Sequence, residues 1–186
     1  MSQSNSRFNA LGTLVVTVHL VKVPVGLGYG IKTKGSPLSV MAHLKKSIVE
    51  VMAEENCLDH ALIIAIARVE NHANYTAYRK GRRIRPIVQA LLKETGIDKT
   101  RGGGIPELNR FKEHFRDYKI FVYQGLGCDD IMYEGQVDSF KHLNLLYDDV
   151  ERHYHLITNL TGAMAKRYIC NACHKSYRRD LMSSRP

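Results

Sequence analysis

The clearest pattern of hydrophobic positions runs from Cys57 to Val69 and predicts a buried helix. Apolar residues recur there at spacings of three and four, and no glycine or proline interrupts them before the chain turns polar near Glu70. The members of this apolar set are Leu58, Ala61, Leu62, Ala65, Ile66 and Val69. Because a polar run, 54–56, precedes the set, Cys57 is expected at the first turn of the helix.

Upstream of this helix the pattern predicts one strand, one irregular arm and one further helix. The β-branched run Thr13–Val23 is typical of a strand, and residues 24–37 carry too many glycines and prolines for a regular element. Ser36 and Pro37 resemble a cap and first turn, so a helix is expected from Ser36 to about Ala53. Its apolar face would comprise Leu38, Met41, Leu44, Ile48 and Met52.

Downstream, two amphipathic helices and several apolar strands follow, with a hairpin-like excursion over 125–142. The helices are predicted at Ile87–Glu94, closed by Gly96, and at about Pro106–Phe115, and the strands at Lys119–Tyr123, Leu143–Tyr147 and Tyr154–Leu160. These elements predict an α+β fold in which the Cys57 helix packs on a small, mostly antiparallel sheet.

The composition indicates the size and the cellular compartment of the protein, but not its reaction. The 186 residues suffice for one domain with a core, or one domain and a short tail. Four cysteines, no secretory leader and no apolar run near 18 residues predict a soluble protein of a reducing intracellular compartment, cytoplasm or nucleus, without a membrane partner. The net charge of +9 suits nucleic acid, an acidic protein surface or solubility alone.

Cys57 and a later pair of histidines carry the chemistry that the residues suggest. The positive end of a helix favours a thiolate over a thiol, which would make Cys57 a better nucleophile. His153 and His155 lie two apart in an expected strand, so they share a face, and one could act as a general base. The alternatives are a small buried cysteine and a pair of half-exposed histidines.

The ordered set of motifs resembles the ovarian-tumour (OTU) class of papain-like cysteine proteases, most of which cleave ubiquitin from proteins. That family has an Asp-Gly-Asn-Cys-Leu loop opening a buried helix, then a Gly-Gly turn, a helix near a Glu-Leu pair, a buried strand, a short apolar strand and a His-Tyr pair. The matching positions here are Glu54–Leu58, Gly103, Gly104, Glu107, Leu108, Lys119–Gln124, Leu143–Asp148, His153 and Tyr154. The resemblance covers roughly Leu38 to Leu160.

The resemblance implies a papain-like core over residues 36–162 and a deubiquitinase activity that uses a thiol and no cofactor. Cys57 would be the nucleophile, His153 the base, and the loop Glu54, Glu55, Asn56 would contribute to the oxyanion site. The partner would be ubiquitin or a ubiquitin-like protein.

Two positions depart from the family pattern. His155 stands where the family often has an acidic or amide residue that orients the base. Either His155 itself, Asp148, Asp149 or Glu54 would take that role, or Cys57 and His153 would act as a dyad. Glu55 replaces a glycine, which is costly if that position needs a positive φ. A catalytically weak or silent ubiquitin-binding domain is therefore an alternative.

The two ends of the chain differ from this central region. Residues 1–35 are expected to form a strand and a flexible arm, and 163–186 a basic tail in which Cys170 and Cys173, with His174, make half of a zinc site. The basic segments 79–85 and 166–179 could bind nucleic acid. The whole chain also resembles the N-terminal part of Polinton or Maverick-type mobile-element and viral proteins, in which such a region can precede a type B DNA polymerase. A nucleic-acid-binding segment of a replication protein is thus a third alternative.

Overall fold

The structure, a computed structural model, describes residues 46–97, 102–125, 128, 130–165 and 169–170, together with the backbone of 25–26. Its helices in these ranges are α1 (Cys57–Val69), α2 (Tyr75–Arg79), α3 (Arg85–Thr95), α4 (Ile105–His114) and α5 (Leu160–Ala163). Its strands are β1 (Val25–Gly26), β2 (Ile48–Val49), β3 (Gly103–Gly104), β4 (Lys119–Gln124), β5 (Asp130–Glu134), β6 (His142–Asp148) and β7 (His153–Ile157). The predicted α+β class is confirmed.

A five-stranded mixed sheet is the centre of the fold. Its strand order is β2-β7-β6-β4-β5, and β4 and β6 run parallel while the other neighbouring pairs run antiparallel. The short antiparallel pair β1–β3 lies apart from it. The expectation of a mostly antiparallel sheet is therefore correct, and the hairpin-like excursion after β4 is the strand β5.

The two faces of the sheet bury different sets of side chains. On one face α1 packs on residues of alternate positions, such as Leu145, Tyr154 and Leu156, and α3 packs in turn on α1. On the other face Phe121, Leu146 and neighbouring apolar residues form a smaller cluster that α5 covers in part. Because strand side chains alternate between faces, α1 lies on the Tyr154 side of β7.

Helix α1 is fixed at both ends. Near its start, Gly103 lies so close to Leu58 that a Cβ built on the glycine would be 2.8 Å from the Leu58 Cβ. Just past its last residue, the Glu70 carboxylate accepts hydrogen bonds from the Tyr118 hydroxyl and the Lys141 ammonium, both at 2.8 Å. The helix that begins at Cys57 is thus held against strands that come much later in the chain.

One predicted helix is wrong over its described part. Residues 46–53 do not continue a helix from Ser36; Ile48 and Val49 form the edge strand β2, which pairs with β7. The apolar spacing that suggested the helix does not form a buried stripe, since Ile48 is buried whereas Met52 is 49% exposed. The β-branched residues Ile48 and Val49 pair with the edge of β7, so strand pairing overrides the helical spacing of the local sequence. Leu38, Met41 and Leu44 lie outside the described residues.

Two further boundaries differ from expectation. The arm 24–37, predicted to have no regular element, contributes the two-residue strand β1, which pairs with Gly104 and Gly103. Strand β7 ends at Ile157 rather than Leu160, because the Asn159 side chain accepts the Gly162 N–H and starts α5. The predicted strand Thr13–Val23 lies outside the described residues.

Because a methyl group at Gly103 would overlap Leu58, Gly103→Ala should lower the free energy of unfolding by about 1–3 kcal/mol. The same change in a Leu58→Ala background should cost less, since this removes the Leu58 Cδ2, which also lies 2.8 Å from the added methyl group, although the Leu58 Cβ remains. Chemical denaturation of the four proteins of this double-mutant cycle measures the coupling. Strictly additive losses would contradict the overlap with the Leu58 Cδ2.

Candidate active site

A polar cavity of about 520 Å³ lies beside the start of α1 and the start of β7. Three stretches of the chain enclose it: the segment 50–56 before α1, the segment from Gly81 to the start of α3, and the β6–β7 turn with β7. The side chains that line it include Glu50, Glu54, Glu55, Asn56, His60, Arg85, Glu151, His153 and His155. The predicted oxyanion loop and the predicted base therefore meet at one cavity, although about a hundred residues separate them in sequence.

The loop before Cys57 turns sharply into the helix at Asn56. Asn56 adopts the left-handed conformation, with φ 54° and ψ 42°, and is the residue before the first turn of α1. Asparagine tolerates this conformation better than most residues. Glu55 is not among the residues with positive φ, so a side chain at this position causes no backbone strain of the kind considered above. The Asn56 carbonyl oxygen instead receives the His60 N–H at 3.1 Å and the His60 Nδ1–H at 2.9 Å.

Cys57 opens α1 as predicted, but its side chain is fully buried. It belongs to the core cluster that contains Tyr154, and the pKa of the Tyr154 phenol is raised first by burial and then by the neighbouring Cys57. Cys57 is not among the described residues that line the cavity, whereas Asn56 is. The sulfur is thus buried in the core, although the residue before it in sequence lines the cavity.

The His153 ring is held in one orientation by the backbone. Its Nε2 lies 2.9 Å from the Val51 carbonyl oxygen. Because a carbonyl can only accept, Nε2 carries the proton and Nδ1 keeps the lone pair. Burial lowers the pKa of His153, and the nearby Glu50 and Asp148 carboxylates raise it and so oppose that effect. The ring is therefore held in the neutral form that can accept a proton.

The candidates for orienting this base are placed differently from one another. The His155 ring lies 5.0 Å from the His153 ring, centroid to centroid, and burial lowers the pKa of His155 to about 3, with a further contribution from His153. Glu54 lines the cavity with an exposed side chain, and Asp149 is exposed in the β6–β7 turn. Asp148 lies directly opposite His153 in the ladder, where it is fully buried. The Val51 carbonyl is the group that holds the His153 ring.

The cavity residues that the sequence did not identify as parts of a site include Glu50, Val51, His60, Arg85 and Glu151. Glu50 and Val51 were assigned to a helix, which concealed their place beside β7. His60 carried a usable signal, since it lies three residues after Cys57 and residues at that spacing neighbour each other on a helix. Arg85 belongs to the basic run 79–85, whose Arg79, Lys80, Arg82 and Arg83 are all exposed.

The predicted features of the tail fall mainly outside the described residues. Cys173 and most of the basic segment 166–179 lie outside the described residues. Cys170 is a partly exposed free thiol. Within the described ranges, side chains close enough to share a metal ion are found at Asp148, Glu151 and His155 instead. That position is far from the tail in sequence and was not predicted.

Comparison with known proteins adds no family to this description. The chain matches no protein-family model, and no curated protein matches it significantly. In the described residues, no helix is both long enough and apolar enough to cross a lipid bilayer.

Burial of the sulfur predicts slow reaction of Cys57 with a small thiol reagent in the folded protein. Cys128 is equally buried and serves as the internal comparison, while Cys170 is partly exposed and should react first. Mass spectrometry of the labelled peptides over time measures the three rates. Labelling of Cys57 as fast as Cys170 would contradict its closed position.

The pH dependence of stability should report the buried His60. Burial is the largest cause that lowers the pKa of His60 below the ordinary 6.5. The hydrogen bond to the Asn56 carbonyl raises this pKa in part, and the positive charge of Arg85 lowers it. His60 therefore binds a proton more readily in the unfolded chain than in the folded one. The contribution of neutral His60 to the free energy of unfolding is complete above about pH 6.5 and is lost as the pH falls below that value.

The loss is at most about 1.4 kcal/mol per pH unit for one histidine. Urea unfolding between pH 5 and pH 7.5 should give a shallower slope for His60→Gln than for the wild type. Equal slopes would contradict this origin of the pH dependence.

Proposed function

We propose that this protein is an OTU-like cysteine protease that cleaves ubiquitin or a ubiquitin-like modifier from proteins. The observation that carries the proposal is the meeting of the Cys57 loop and His153 at one cavity. A cysteine at the first turn of a helix and an imidazole whose tautomer is fixed are parts that thiol acyl transfer uses.

In this mechanism the Cys57 thiolate attacks the carbonyl carbon of the C-terminal glycine of the modifier. The first N–H groups of α1 have no partner within the helix, so they stabilise both the thiolate and the oxyanion of the tetrahedral intermediate. Collapse of the intermediate breaks the C–N bond, and His153 gives its proton to the departing lysine amine. A water molecule, deprotonated by His153, then hydrolyses the thioester. No cofactor takes part in these steps.

The Val51 carbonyl replaces a side chain as the group that orients the base. Its bond to Nε2 fixes Nδ1 as the nitrogen that accepts the thiol proton. A carbonyl carries no full negative charge, but Glu50 and Asp148 near the ring supply charge that stabilises an imidazolium. His155 is then not needed as an orienting residue.

The charges around the cavity favour a basic substrate segment. Glutamates at positions 50, 54, 55 and 151 line it, against the single arginine Arg85. A peptide with basic residues close to the scissile bond would be attracted to these carboxylates. This preference belongs to the same proposal and is open to measurement with peptide substrates of different charge.

Wild-type protein should react covalently with ubiquitin that carries a C-terminal electrophile, and Cys57→Ala should not. His153→Gln should slow the labelling by about 10²-fold or more, since the thiol loses its base. Cys128→Ala is the matched control, because it removes an equally buried thiol outside the cavity, and it should label as the wild type does. A shift in gel mobility and mass spectrometry of the modified peptide follow the reaction. Absence of labelling in a folded wild-type protein would refute catalysis.

The full burial of Cys57 favours a second candidate, a ubiquitin-binding domain with weak or no activity. Such a domain would bind ubiquitin reversibly, and binding would be unchanged by Cys57→Ala. The exposed basic run 79–85 supports the third candidate, a nucleic-acid-binding segment. Salt-dependent retention on DNA without affinity for ubiquitin would select it.

A further inference from the structure

The turn between β6 and β7 brings together three side chains that can act as metal ligands. Oxygen atoms of Asp148 and Glu151 and a ring nitrogen of His155 all lie within 4.8 Å of one another. Asp148 ends β6, Glu151 is in the turn and His155 is on β7, so the backbone pairing of the two strands holds them in place. None of these residues belongs to the predicted zinc site in the tail.

His155 is the observation that points to a ligand. Its side chain is only 2% exposed, and neither ring nitrogen has a hydrogen-bond partner among the residues that the structure describes. A buried imidazole normally makes at least one such bond, because leaving its polar atoms unpaired in the interior is unfavourable. A metal ion bound to the lone pair would satisfy the ring, which burial already holds neutral.

The two carboxylates supply the complementary charge. Asp148 and Glu151 lie close together, and two like charges at this distance repel each other unless a cation lies between them. The Asp148 carboxylate is held in a fixed orientation, since its Oδ1 accepts the N–H groups of Val150 and Glu151 at 2.9 and 3.2 Å. One neutral imidazole and two carboxylates together carry two negative charges, which would neutralise a divalent ion.

The ligand types and spacing select the class of ion. We propose that Asp148, Glu151 and His155 bind one divalent transition-metal ion of the Zn²⁺, Co²⁺ or Mn²⁺ class. An ion placed between the three atoms would lie at most about 2.8 Å from each, so contraction by less than about 1 Å gives normal bond lengths. A nitrogen ligand favours these ions over Ca²⁺ and Mg²⁺, which prefer oxygen alone.

The site would keep coordination positions open to the cavity. Glu151 and His155 both line it, so water or a carbonyl or carboxylate oxygen of a bound molecule could complete the coordination. This proposal does not depend on the protease activity, because it concerns binding of the ion alone.

The test is calorimetric titration of the metal-free full chain with Co²⁺. Cys170→Ser and Cys173→Ser are introduced into all proteins compared, so that the tail thiols do not bind the ion. The parent protein should bind one ion per chain, and Glu151→Gln and His155→Asn should each weaken binding at least tenfold. Asp149→Asn, an exposed neighbour in the same turn, is the matched control and should stay within twofold of the parent.

Folding of each variant is checked by circular dichroism and thermal unfolding. Glu151 is partly exposed in a turn, so Glu151→Gln should fold even if substitution of the buried His155 does not. Failure of the parent to bind Co²⁺, or equal binding by the parent and Glu151→Gln, would overturn the proposal. In that case water molecules, not a metal ion, would satisfy His155.

Discussion

The register of β7 between β2 and β6 decides which side chains reach the core and which reach the cavity. Tyr154 and Leu156 belong to the core cluster under α1, while His153 and His155 alternate with them along β7 and line the cavity. A shift by one residue would exchange the two sets, burying imidazoles under α1 and moving a tyrosine to the cavity. The hydrophobic cost of that exchange is what holds the two histidines beside the segment that precedes Cys57.

The same constraint gives two histidines on one strand different environments. Both rings are desolvated, which favours their neutral forms, yet His153 has a backbone acceptor and two nearby carboxylates that partly offset the effect. His155 has a neighbouring histidine that disfavours its charge still more. A neutral ring with carboxylates nearby suits proton transfer, because they stabilise its charged form, whereas a ring that lacks such partners suits metal coordination. Burial and neighbours, rather than residue type, separate the two.

The sequence predicted those elements whose own pattern agrees with their tertiary contacts. The uninterrupted apolar spacing after Cys57 and the apolar runs of β4 and β6 belong to buried elements, and the structure has them within one or two residues. The helix predicted over residues 46–53 was wrong because Ile48 and Val49 fit either a helix face or an edge strand. Only the availability of β7 as a pairing partner decides between the two. Glu50 and Val51 were missed for the same reason. Asp148, His153 and His155 could be named in advance, but not their shared turn with Glu151, because that depends on the pairing of β6 with β7.

A fully buried sulfur is compatible with the proposed chemistry only if the closed form is close in free energy to an open one. The boundary between them is the loop that ends at Asn56, a residue whose left-handed conformation costs on the order of 1 kcal/mol and can relax when the loop moves. A binding partner that contacts only the open form lowers its own apparent affinity by the fraction of open molecules. An opening cost of about 3 kcal/mol would reduce that affinity by a little more than a hundredfold. The binding free energy of an interface of ordinary size can offset a cost of this magnitude. Closure would then restrict thiol reactivity to chains that already hold the correct partner.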